Sequence, residues 1–172
     1  MRAIGRMTCI CILLTLTACE KSGKLVPLLP AAPPGWSVEG QPANQSVSGL
    51  GYSSMRSYIP SSGTPASKIQ RVKVQILVAN KDAQKKDLSK MFLGAQAGLW
   101  EQTTVNGFKA SDSFTVSGEC YSLVVYPSST TYVQIIAYSG GAESDYDTAE
   151  KGKEIVNTFA DKINYSQIAA LK

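Results

Sequence analysis

The sequence predicts an α+β domain, an antiparallel sheet of about six strands with two helices packed on it. Three observations lead there. Val72, Val74, Ile76 and Val78 alternate with Arg71, Lys73 and Gln75, the period-two signature of a strand with one buried face. Residues 99 to 138 hold four short apolar stretches joined by tight turns, and short turns between consecutive strands require antiparallel pairing. Two segments, 82 to 98 and 147 to 163, carry apolar residues at helical spacing.

Taken in order, Pro34-Gly35-Trp36 marks the entry to the domain, and Gly51 to Ile59 reads as the first strand. Pro60 to Ser67 is a loop rich in Pro, Gly and Ser. The strand at Arg71 to Ala79 follows. Leu88, Met91, Phe92 and Ala95 then form one helical stripe, with Lys85, Lys86 and Lys90 mostly off it as a solvated face. Leu99 to Val105 and Phe108 to Val116 flank Asn106-Gly107, a strong hairpin signal. Cys120 to Tyr126 and Thr131 to Tyr138 complete the meander. Asp147-Thr148-Ala149-Glu150 has the form of a capping box for a last helix. The core stripe of that helix is Ala149, Gly152, Val156, Phe159, Ala160 and Ile163, and Lys151, Lys153, Glu154 and Lys162 face water. Ile168 to Leu171 adds a helical turn.

The N-terminus has a different character. Arg2 and Arg6 precede an apolar stretch from Met7 to Leu16, too short to span a bilayer as a helix. Leu16-Thr17-Ala18-Cys19 follows and resembles the lipobox of bacterial lipoproteins. The resemblance implies a signal peptide over residues 1 to 18 and a diacylglyceryl thioether on Cys19, which becomes the first mature residue. It further implies a protein anchored to the bacterial envelope by lipid. Glu20 stands where aspartate is the usual inner-membrane retention signal, so the resemblance favours the outer membrane, facing the periplasm. Residues 19 to 34, with Pro27, Pro30, Pro33 and Pro34, are expected to be a tether of about 40 Å reach at most. Residues 35 to 172 are expected to form a single domain.

The element order, the Gly35-Trp36 entry and the Val105-Asn106-Gly107-Phe108 hairpin resemble the PsbP-like fold, which also occurs in periplasmic lipoproteins of the DcrB type. This resemblance covers residues 36 to 164. It implies a sheet-and-helix sandwich and transfers no functional residue.

Composition narrows the chemistry. The chain has no histidine, which excludes Ser-His-Asp and Cys-His catalysis and most zinc and copper sites. There are 17 basic and 13 acidic residues, and without Arg2 and Arg6 the balance falls to about +2, too near neutral to argue for nucleic acid. Cys9 and Cys11 leave with the signal segment and Cys19 takes lipid, so Cys120 is the lone thiol, expected to be a small buried hydrophobe. Gly49-Leu50-Gly51 neither opens a helix nor has the third glycine of a phosphate loop. The acids Asp145, Asp147 and Glu150 fit helix capping and lack the spacing of a calcium loop.

The expectation is therefore a non-enzymatic binding or envelope-assembly module without a cofactor or metal. Its partners would be the membrane through Cys19 and another envelope protein or small ligand. The alternative is a periplasmic hydrolase working through carboxylates or Ser and Lys. Aromatic residues are the best candidates for a binding patch, and Arg56, Tyr58 and Tyr138 are its expected members, at the loop rim.

Overall fold

The computed structural model describes residues 23–47, 51–61, 68–80, 100–114, 119–139 and 146–171. The expected signal segment, Cys19, the helix expected at 82 to 98 and most of the loop expected at 60 to 67 lie outside these residues. Among the described residues the fold is α+β: one antiparallel sheet of seven strands and two helices. The strands are β1 (Trp36–Val47), β2 (Gly51–Pro60), β3 (Arg71–Ala79), β4 (Glu101–Val105), β5 (Phe108–Phe114), β6 (Glu119–Tyr126) and β7 (Thr131–Tyr138), and the helices are α1 (Tyr146–Ala160) and α2 (Tyr165–Ala169). The sheet order is β1-β2-β3-β7-β6-β5-β4, two meanders joined where β3 pairs with β7.

The expected alternation in β3 is present. Val72, Val74, Ile76 and Val78 are buried on one face, beside Val133, Ile135 and Ala137 of β7 and Leu123 and Val125 of β6. On that face α1 packs over β6 and β7. Ala149, Gly152, Val156, Phe159, Ala160 and Ile163 are all buried, while Lys151, Lys153, Glu154 and Lys162 are exposed, as their spacing predicts. The helix already includes Tyr146, so Asp147 lies in its first turn and not ahead of it. Asn164 caps α2 by accepting from the Gln167 backbone N–H at 3.1 Å. The other sheet face holds a second apolar cluster of Leu77, Ala79, Val124 and Tyr132, joined by Trp100 and Tyr126.

The turn between β4 and β5 is the one its sequence demands. Val105 pairs with Phe108, and Asn106 and Gly107 have φ of 50° and 82°, both positive as a type I′ turn requires. Gly51 is fixed by crowding: a Cβ there would stand 2.0 Å from the Val78 carbonyl oxygen. That close approach explains the glycine in Gly49-Leu50-Gly51.

Two expectations are corrected. The sheet has a seventh strand, β1, at one edge. Its sequence carries no apolar alternation, and its register shifts between Glu39 and Ala43, where Gly40 (φ 66°) and Pro42 lie. A bulge and a proline are ordinary ways to blunt an exposed sheet edge.

The second correction concerns the tether. Leu25 to Pro34 is part of the domain, since Leu25 and Leu29 belong to the main core and are 0% and 4% exposed. Val26–Leu28 form a 3-10 turn, and beyond it the Pro30 carbonyl accepts from the Tyr58 hydroxyl at 2.6 Å and from Arg56 Nη1 at 3.2 Å. Burying Leu25 and Leu29 stabilises by about 1.5–3 kcal/mol each, which offsets part of the entropy lost in ordering the strap. Its prolines stiffen a packed segment.

Candidate functional site

The expected binding patch does not assemble. In the antiparallel register Tyr58 faces Val72, whose partner on β7 is Ala137, so Tyr58 and Arg56 lie on the helix-bearing face. Tyr58 is 0% exposed, packed against Phe159 at 4.7 Å between ring centres, and its hydroxyl is used by Pro30. Arg56 holds the strap from beneath. Tyr138 pairs with Arg71 and sits on the opposite face, with Lys73 Nζ 4.7 Å from its ring centre. Arg56 and Tyr58 are thus structural, and Tyr138 is separated from both by the sheet.

The structure instead brings together residues far apart in sequence at the other end of the sheet. β5 alternates so that Asp112 faces Leu123 and Phe114 faces Tyr121, on the side covered by α1. Glu101 is the β4 partner of Asp112. The first turns of α1 add Ala149, Glu150 and Lys153. These side chains, with Ser113, line an open cavity of about 450 Å³. Phe114 stands at it 37% exposed, one of two large apolar side chains exposed to this degree among the described residues.

The chemistry of the cavity turns on Asp112. Its side chain is only 12% exposed, and a buried carboxylate needs donors. The Tyr121 hydroxyl donates to Asp112 Oδ2 at 2.5 Å, and Lys153 Nζ stands 4.0 Å from the same oxygen. Lys153 is half-exposed, so its attraction is screened and worth little by itself. Burial pushes the Tyr121 hydroxyl well above the usual tyrosine range, and the hydrogen bond to Asp112 and the charges of Asp112, Glu150 and Glu101 push it further. Tyr121 therefore stays protonated as a donor and does not serve as a base. Three carboxylates stand against one ammonium beside an exposed aromatic ring, an arrangement complementary to a positively charged or hydrogen-bond-donating group. Among the described residues, no three His, Cys, Asp or Glu side chains form a group able to hold a metal ion.

In the sequence Glu150 reads as a capping residue and Lys153 as a water-facing one, while Glu101 and Asp112 belong to no motif. Tyr121 shares the face of Val133 and Ile135. The available signal was an aspartate in the middle of a strand, at Asp112. No family model matches the chain, and neither a curated protein nor a solved structure does. Among the described residues no helix is long and apolar enough to cross a membrane.

Proposed function

We propose that the chain is a lipid-anchored envelope protein whose single domain is a non-enzymatic binding module, with the Asp112 cavity as its ligand-facing site. The observation that carries the anchor is the segment Met1 to Cys19, in which two arginines, ten apolar-rich residues and Leu16-Thr17-Ala18-Cys19 stand in the order that lipid attachment needs. Two or three acyl chains on Cys19 would hold the protein stably at a bilayer. The outer membrane is the compartment we favour, because of Glu20. The PsbP-like resemblance fits an antiparallel sheet with helices, and it is proposed at that level only.

Binding is favoured over catalysis by the state of the cavity's groups. Asp112 is engaged by Tyr121, which stays protonated, and the chain has no histidine to relay a proton. Carboxylate hydrolysis is the second reading, since Glu101, Asp112 and Glu150 share one cavity.

The test is expression in a bacterial host with a clickable fatty acid. Wild type is expected to label and to sediment with membranes, and Cys19→Ser to do neither. Labelling of Cys19→Ser would overturn the anchor.

A further inference from the structure

The spacer between lipid and fold is much shorter than the proline-rich stretch suggests. Among the described residues the first in the core is Leu25, 0% exposed, six Cα steps after Cys19. Whatever their conformation, six steps span about 20 Å at most. The lipid therefore limits where one particular corner of the domain can go.

That corner is defined by the strap. Pro30 is bonded to Tyr58 on β2, and the Pro33 carbonyl accepts from the Trp36 N–H at the start of β1. The cavity lies at the other side, on β4, β5 and β6. Six strand spacings of about 4.8 Å separate β1 from β4, close to 29 Å. The helix spans the same division, because Phe159 touches Tyr58 and Trp36 while Ala149 lines the cavity. Charge has the same polarity. The spacer holds Lys21 and Lys24 against Glu20, whereas the cavity holds Glu101, Asp112 and Glu150 against Lys153. An anionic bilayer attracts the first set and repels the second.

Resting on lipid attachment at Cys19, we propose that the domain is held directly against an anionic bilayer by its β1–β2 side, with the strap nearest the headgroups. The acidic cavity points away from that membrane, toward a cationic group presented from the opposite side. The spacer is an orienting device, since a tether of twice its length would let either side face the lipid.

The chain's two tryptophans test this, because Trp36 opens β1 and Trp100 immediately precedes β4. The full lipidated protein is reconstituted in phosphatidylglycerol-containing vesicles with a dansyl-headgroup lipid, and energy transfer is read from Trp36 alone (Trp100→Phe) and Trp100 alone (Trp36→Phe). Transfer from Trp36 is expected to exceed that from Trp100 by about twofold or more. A Gly/Ser insert of about 20 residues between Ser22 and Gly23 is expected to erase the difference. Should Trp36→Phe fail to fold, the Trp100→Phe protein with and without the insert decides alone. Equal transfer from both residues, or no effect of the insert, in a protein that labels with fatty acid overturns the orientation and leaves the anchor standing. A protein that does not label loses both.

Discussion

The Tyr58 hydroxyl and the Pro30 carbonyl are 2.6 Å apart, and this bond ties the segment ahead of β1 to the second strand. Arg56 Nη1 donates to the same oxygen at 3.2 Å, so both lone pairs of Pro30 are used. Tyr58→Phe is expected to lower stability by about 0.5–1.5 kcal/mol, because Arg56 still satisfies the carbonyl. Leu25→Ala is expected to cost about 2–5 kcal/mol through a core cavity. Urea melts of the domain from Gly23 onward check both. If Leu25→Ala melts like wild type, the strap is a spacer after all.

Gly51 and Gly40 both have positive φ, yet they differ in what surrounds them. A Cβ at Gly40 meets nothing within 4 Å, whereas at Gly51 it meets the Val78 carbonyl oxygen and must move the β2–β3 ladder. Gly40→Ala is expected to cost about 1 kcal/mol from backbone strain. Gly51→Ala is expected to cost about 3 kcal/mol or more. Similar thermal melts for the two variants would contradict this packing.

Burial pushes Tyr58 up to about 12, against 10.0 for a free side chain, although Arg56 partly offsets the effect. Tyr121 and Tyr165 are also raised, with burial the main cause. A raised folded-state value means that stability is fully present below pH 10.0 and is lost as pH rises through the folded value. For Tyr58 that window runs from 10.0 to about 12. A tyrosinate absorbance titration is expected to show a late group of tyrosines whose ionisation coincides with unfolding. If all eight tyrosines titrate together near 10 in the folded protein, these environments are wrong.

Asp112 and Tyr121 are expected to behave as one unit. Tyr121→Phe leaves a largely buried carboxylate with a half-exposed lysine 4.0 Å away, at a cost of about 1–3 kcal/mol. The double variant Tyr121→Phe/Asp112→Asn is expected to be less destabilised than the sum of the single changes, by about 0.5–3 kcal/mol. Strict additivity in denaturant melts would show that the bond contributes nothing.

What was legible in the sequence was whatever repeats within one element. The alternation of Val72, Val74, Ile76 and Val78 gave β3, the stripe from Ala149 to Ile163 gave the last helix, and Asn106-Gly107 gave its turn. β1 was illegible because an edge strand does not need to bury a face, and Gly40, Pro42, Asn44 and Ser46 carry no alternation. The strap was hidden among prolines, since only tertiary packing distinguishes Leu25 and Leu29 from the residues of a loose linker. The cavity was hidden for a related reason. Glu101, Asp112 and Glu150 come from three elements, and each alone reads as a surface acid. Tyr58, named as a rim residue, lies two positions before an exposed-looking loop, and its hydroxyl is satisfied by the strap.

The join between β3 and β7 has a kinetic meaning. Every other ladder links strands adjacent in the chain, so each can zip from a local turn. The β3–β7 ladder closes a loop of about 60 residues, and it unites the two meanders at the centre of the sheet. Its closure carries the largest chain-entropy cost of the six ladders, so a cavity such as Val74→Ala on this seam is expected to slow refolding. Until it closes, β3 and β7 are bare apolar edges. The chain is then most exposed to aggregation after both halves have formed and before they meet.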